Sequence, residues 1–364
     1  MPQECPHVVQ VASRKAHLSK GLRTATRNTP LILFFPLLSL CPFTAAAGQP
    51  GDPCAEFRES IRQTYTFKPS RLSPAEQDAR SKAMDRIWES AKANPKRALP
   101  CLRAALEDPA SDPWFRFDGS SLLVQLDPSP AAKAIQVREF TAVDLDDVNL
   151  RVWVQTLARR GTEGFDVSEA GARWLAYPKA SYSLPDHGGY RVSKSNGALF
   201  IYGSMDESQA TPALFKIVSQ PNHPGREDAL WLLMSQATPE ALRLLKQVDP
   251  RSFSGPPQRN LTALLGQPGL LKPRPGTPRV SRREYLDAFQ AIVSKNSWKE
   301  FQALVERVPD GEQDTVAVLK PEDLPLLRRV RRLRIAHANQ HAIEYYNEFT
   351  AILMALTWRA DLVK

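Results

Sequence analysis

Apolar positions recur along this chain at helical spacing, and in two places the same arrangement returns with the same prolines. The first copy runs Pro100, Leu102, Leu106, Pro109, Arg116, Asp118, Leu122 and Leu123, with Pro130 opening the next segment. The second runs Pro212, Leu214, Val218, Pro221, Arg226, Asp228, Leu232 and Leu233, with Pro239 next. Each copy reads as helix, Pro-marked turn, helix, turn. Leu214, Ile217 and Val218 fall at i, i+3 and i+4 and share one face, and Ala229, Leu232 and Leu233 repeat this in the second helix. A hairpin with one apolar face cannot bury it alone, so it stacks on neighbours. The alternative is chance spacing in a chain holding 31 prolines.

Proline fixes φ and lacks an N–H, so it suits the first turn of a helix and interrupts the interior. Ser129-Pro130, Thr211-Pro212 and Thr238-Pro239 therefore each predict a hydroxyl cap followed by a first-position Pro. Ser73-Pro74-Ala75-Glu76 predicts a capping box opening a helix to about Ala93. A short helix is expected over 55–64, and others over 98–107, 117–126, 130–140, 147–160, 167–177, 193–203, 208–219, 225–236 and 238–247. The segment 178–192 (PKASYSLPDHGGYRV) reads as a long loop, either reaching a binding face or a passive insertion. Residues 249–280 read as a break, and Gly266 to Pro278 as linker or extended wrapping segment. Beyond it, Ser281 caps a helix to about Ser294, Ser297 starts another to Val308, Asp314 to Leu319 reads as a strand, and Pro321-Glu322-Asp323 opens a helix.

The segment ATPALFKIVSQPNHPGREDALWLLMSQA, Ala210 to Ala237, resembles a HEAT repeat. Its Pro-containing turn is followed by Arg226, Ala229, Leu230 and Leu233, where such repeats carry their Arg and their apolar second helix. Residues 98–126 resemble one less closely, and the rest of the chain weakly. The resemblance implies an all-α fold of stacked antiparallel helical hairpins, an α-solenoid with a concave binding surface. It implies no catalytic residues.

The N-terminus changes the picture of compartment. Residues 1–27 hold Arg14, Lys15, Lys20, Arg23 and Arg27 against Glu4, and Pro30 to Ala47 carries no charge. Ala45-x-Ala47 before Gly48 completes the pattern of a secretory signal, which predicts export to a periplasmic or extracellular space. Cys41 within Leu38-Ser39-Leu40-Cys41 faintly resembles a lipoprotein attachment site, with Leu40 too bulky for it. Removing residues 1–47, with five basic residues and one acidic, lowers the net charge from +9 to +5. That mild charge gives no argument for nucleic acid. Cys54 and Cys101 remain; in an oxidising compartment they pair, stabilising by roughly 3–4 kcal/mol, or else they are two unrelated buried thiols. The expected organisation is signal 1–47, N-terminal segment 48–71, helical repeats 72–266, linker 267–280 and a C-terminal helical cap 281–364. Asn260-Leu261-Thr262 is a glycosylation sequon, meaningful only in a eukaryotic host.

Two constellations carry candidate chemistry. Arg328, Arg329, Arg331, Arg332 and Arg334 spread over one side of a predicted helix, opposite Leu326, Val330 and Leu333. They suit an anionic protein, lipid or polysaccharide surface, or else form a solvated face with acidic neighbours in the fold. His337, His341, Glu344 and Glu348 lie at i, i+4, i+7 and i+11, a spacing open to metal ligation by His337, His341 and Glu344. The other reading is a polar exposed face after a helix break near Arg334–His337. G-x-S-x-G, P-loop and G-x-G-x-x-G motifs are absent. The sequence therefore points to a non-catalytic scaffold without a cofactor, binding a protein or peptide on its concave face. An anionic-surface binder is the second reading and a metal-dependent enzyme the third.

Overall fold

Short polar side chains start the helices. In a computed structural model of the chain, which describes residues 54–64, 73–184, 190–266, 278–295, 297–307, 318–335 and 340–357, the Asn94, Asp112, Ser129, Asn149, Ser193, Asp206 and Thr238 side chains each accept a first-turn backbone N–H. These N–H groups have no partner within their own helix, so each cap contributes about 1 kcal/mol.

The described residues are mostly helical, with little sheet. An N-terminal group comprises α1 (Ala55–Thr64), α2 (Pro74–Ala93), α3 (Pro95–Glu107) and α4 (Pro113–Leu126). The middle holds α5 (Pro130–Ala142), α6 (Leu150–Thr162), α7 (Ser168–Ala176), α8 (Lys194–Ser204), α9 (Glu207–Val218), α10 (Arg226–Ser235), α11 (Pro239–Leu245) and α12 (Gly255–Gly266). The C-terminal group is α13 (Arg282–Lys295), α14 (Lys299–Arg307), α15 (Leu324–Ile335) and α16 (Gln340–Thr357). Three apolar cores follow this order. Consecutive helices α3 to α6 pack pairwise. From α5 onward, alternate helices also touch: α5 meets α7, α7 meets α9 and α9 meets α11, while α6 meets α8, α8 meets α10 and α10 meets α12.

The middle is built around α8. Its stretch GALFIYGS is apolar on every side, and Gly197 through Ser204 are all buried. A helix of that kind must be covered all round. A Cβ at Gly197 would lie 2.4 Å from the Trp174 ring of α7, and one at Gly203 would lie 2.8 Å from the Tyr346 ring of α16. The two glycines thus admit an aromatic ring on either side of α8. Trp174 also stacks 6.0 Å from Trp153 of α6. Its indole N–H donates to the Lys194 carbonyl at 2.8 Å, as buried Trp requires. The C-terminal helices complete the cover: α15 packs on α6 and α8, α16 packs on α10, and Ile335, Ile343 and Tyr346 enter the middle core.

Several expectations are corrected. Thr211 and Pro212 do not open a helix; α9 begins at Glu207, capped by Asp206, and Pro212 sits inside it. Pro100 likewise lies inside α3, which Asn94 and Pro95 open. Both prolines occupy the sixth position of their helices, where the missing N–H costs one intrahelical bond. The loop 178–192 contains an antiparallel pair, β1 (Tyr182–Leu184) and β2 (Tyr190–Val192), in register Tyr182 with Val192 and Leu184 with Tyr190. The break at 249–280 includes α12, which starts at Gly255 (φ 64°) and buries Leu261 and Leu264. Pro256 and Pro257 fall in its first turn, where no intrahelical N–H is needed. The buried face of α15 is Leu327, Val330, Arg331 and Ile335, with Leu326 and Leu333 only half-buried. The expected signal 1–47, residues 267–277 of the expected linker 267–280 and most of the expected strand 314–319 lie outside the described residues.

Candidate functional site

The five-arginine cluster turns mostly inward. Arg331 is 1% exposed. Its Nη1 donates to the Ser235 carbonyl at 2.7 Å and to Thr350 Oγ1 at 3.0 Å; its Nη2 donates to the Gln236 carbonyl at 3.2 Å and reaches Glu207 Oε1 at 3.4 Å. The guanidinium lies 4.7 Å from the Tyr346 ring centre. Arg328 donates to the Ala237 carbonyl at 2.9 Å and to Thr357 Oγ1 at 3.3 Å. Arg332 pairs with Asp206 Oδ2 at 2.5 Å and stands 3.7 Å from Glu207 Oε2. Arg334 lies 4.7 Å over the Trp298 ring. Arg329 alone of the five is exposed.

The geometry explains itself from the end of α10. The last carbonyls of a helix lack partners and carry the negative end of its dipole. Here the chain turns through Ala237 in the left-handed region (φ 53°), a position glycine usually fills. Arg328 and Arg331 supply donors to carbonyls 235, 236 and 237, so the cluster caps α10 from another part of the chain. The acidic start of α9, Asp206 and Glu207, neutralises it. Burial pushes the Asp206 carboxyl up, but the Ser208 N–H and hydroxyl and the Arg332 guanidinium outweigh it and hold it near 2. The cluster therefore joins the C-terminal helices to the middle, and Arg331 is closed to an outside anion.

The matched arginines of the two sequence copies do comparable work. Arg226 donates from Nε to the Val218 carbonyl at 2.8 Å and from its two terminal nitrogens to the Ser252 carbonyl and hydroxyl, both at 2.9 Å. It also stacks 4.0 Å over Phe253. Arg116 stands 3.5 Å from the buried Glu139 of α5. Each arginine thus reaches toward a later part of the chain.

The set His337, His341 and Glu344 is not brought together in anything described. His337 lies outside the described residues; His341, Glu344 and Glu348 lie on α16, with side chains also outside them. Among the described residues no group of three or more His, Cys, Asp or Glu is placed to hold a metal. No described helix is long and apolar enough to cross a membrane.

A groove of about 640 Å3 lies among α1, α2 and α3. Phe57, Ile87 and Ala98 form its apolar floor; Ser60, Arg86, Asn94 and Arg97 supply polar groups. Arg97 reaches Glu56 across it at 3.6 Å. Its size falls in the range of sites for small ligands or a few side chains. One wall is α1, which buries a single side chain, Ile61. What fixes that wall is the Cys54–Cys101 disulfide, with Cα atoms 5.1 Å apart and 47 residues of separation. The cysteine pair was the signal in the sequence; Phe57, Ser60, Arg86 and Asn94 carry no pattern that marks them.

No protein-family model, no curated protein and no solved structure matches this chain.

Proposed function

We propose that this protein is a non-catalytic α-solenoid of HEAT-like hairpins, exported after removal of residues 1–47, that holds a protein or peptide partner. The observation carrying this reading is the interleaved packing of the middle, where α5, α7, α9 and α11 form one row and α6, α8, α10 and α12 the other. Two rows of alternating helices are how helical hairpins bury their single apolar faces. The Cys54–Cys101 bond supports an oxidising compartment. An anionic-surface role through the arginine helix has lost its main argument, since Arg328, Arg331 and Arg332 are engaged inside the fold.

The partner surface differs from the one the resemblance implies. The row of α6, α8 and α10 is covered by the chain's own α15 and α16. The groove among α1, α2 and α3 is the open concavity with both apolar floor and polar rim. A photo-crosslinking amino acid at Arg86, in the protein spanning 48–364 and exposed to an extract of its own envelope, tests this. One dominant protein adduct at Arg86, absent when the probe replaces Lys299, is the expected result. Equal adducts at both positions, or none at Arg86, overturn the reading.

A further inference from the structure

Many of the described cations are paired with carboxylates. Arg103 meets Asp127, Arg138 meets Glu139, Arg160 meets Glu163, Arg282 meets Asp323 and Arg332 meets Asp206. One pocket is arranged differently. Between the end of α7, the base of the β1–β2 hairpin and the start of α8 lies a pocket of about 520 Å3, lined by Lys179, Arg191 and Lys194 with the hydroxyls of Ser181 and Ser193, and by no acid among the described residues.

Two of the three cations have no carboxylate partner. Arg191 donates from Nη2 to Ser181 Oγ at 2.9 Å, leaving its other N–H groups open. Lys194 donates to the Leu175 carbonyl at 3.2 Å, leaving two of its three donors. Lys179 meets Asp146 Oδ1 at 2.6 Å. Arg191 and Lys194, each without a carboxylate partner among the described residues, repel one another, so the arrangement persists because the fold holds it. It does so rigidly. Trp174 grips the Lys194 carbonyl, Val192 beside Arg191 is fully buried, and the Ser193 hydroxyl caps α8 at Asn196 N. The positive end of α8 opens at the same place. His223, in the α9–α10 turn, feels this field: burial and then Lys194 hold its imidazole below the usual histidine range.

We propose that Lys179, Arg191 and Lys194 form a binding pocket for an oxyanion of the phosphate class, with room for a diphosphate. The guanidinium of Arg191 presents a planar fork and Lys194 a compact charge, the two kinds of donor that recognise phosphoryl oxygens. The Ser181 and Ser193 hydroxyls stand beside them as further polar groups. This goes beyond the partner-holding role, and its failure leaves that role standing.

The test is a calorimetric titration of the protein spanning 48–364 with inorganic pyrophosphate at low salt, beside Arg191→Gln/Lys194→Gln and a charge-matched control, Lys246→Gln/Lys299→Gln. The expected result is saturable one-to-one binding, weakened at least about tenfold in the pocket variant because two charge-assisted donors are lost, and changed less than about twofold in the control. Nuclear magnetic resonance of His223 gives a second readout: pyrophosphate neutralises the field and raises the imidazole's titration midpoint. Arg191→Gln alone, at an exposed position, serves if the double variant does not fold. Binding seen only at tens of millimolar, or lost equally in the control, or kept in the pocket variant, overturns the proposal.

Discussion

The middle of this molecule and its N-terminal end are held by different forces. Around α8 the chain relies on burial. Trp153, Trp174, Tyr202, Phe200 and Tyr346 are all below 2% exposed, and each fully buried side chain of that size contributes about 1.5–3 kcal/mol. At the other end, α1 offers Ile61 and a half-buried Phe57, too little to offset the ordering of ten residues at about 1 kcal/mol or more each. The Cys54–Cys101 bond supplies the remainder. A short helix with a poor apolar face stays in place when a covalent link limits its freedom, and it leaves an open groove behind it.

The strongest way to break the comparison is to crowd α8. Gly197→Leu places a side chain where a bare Cβ already meets Trp174 at 2.4 Å, and with three further carbons to place on a fully buried helix the cost exceeds the about 1–3 kcal/mol of ordinary overpacking. We expect a large fall in the urea midpoint or failure to fold. Gly266→Ala, where nothing lies within 4 Å, should move the midpoint little. A midpoint for Gly197→Leu equal to that of Gly266→Ala would contradict the account of α8.

Next in size is Arg331→Met. It removes donors from the Ser235 and Gln236 carbonyls and leaves Glu207 facing Arg332 alone. Breaking one side of a buried charged network costs about 3–5 kcal/mol. Thermal unfolding of this variant should show the C-terminal helices released, with hydrogen exchange rising at α15, α16 and the end of α10. An unchanged exchange pattern there would mean that the guanidinium does not join the two parts.

Replacing both cysteines by serine sharpens the comparison from the other side. The loss is about 4 kcal/mol in the chain-entropy view for a loop of this length, and it should fall on α1 to α3. Tryptic cleavage at Arg58 and Arg62 within α1 is the measurement: rapid cleavage in the variant, slow cleavage in the parent. Equal rates would show that Ile61 and Phe57 suffice.

The smallest effect is electrostatic. Asp206 titrates near 2 in the folded protein, below the unfolded value of about 3.9. A depressed carboxyl contributes stability above its unfolded pKa and loses it as pH falls through the folded one. The contribution is therefore intact above about pH 4 and fades toward pH 2. Because the carboxyl is half exposed, solvent screening keeps it under about 1 kcal/mol. Asp206→Asn should flatten the acid side of the stability curve in that window; an identical slope in both proteins counts against the Asp206–Arg332 pairing.

Local chemistry was legible and distant chemistry was not. Ser129-Pro130 and Thr238-Pro239 mark helix starts because cap and first-position proline lie side by side, and the structure places α5 and α11 there. Thr211-Pro212 has the same look, yet Asp206 four residues upstream of Ala210 caps first and the helix runs through the proline. The α12 helix was hidden by Gly255, Pro256, Pro257 and Gly266, which read as a break although a helix tolerates them at its ends. The β1–β2 hairpin was hidden by strands of only three residues. Arg331 illustrates the limit best. Its partners are carbonyls 95 and 96 residues away, and nothing in an arginine-rich helix reveals that its cations cap another helix. The disulfide was legible because only two cysteines follow the signal-like segment. The groove it bounds was not, since its lining comes from three helices.

The measurement that tests the contrast most directly is hydrogen–deuterium exchange of the intact protein, oxidised and after reduction. The account predicts that reduction raises exchange across α1, α2 and the start of α3 while α5 to α12 stay protected. A uniform rise along the chain, or no change at α1, would contradict it.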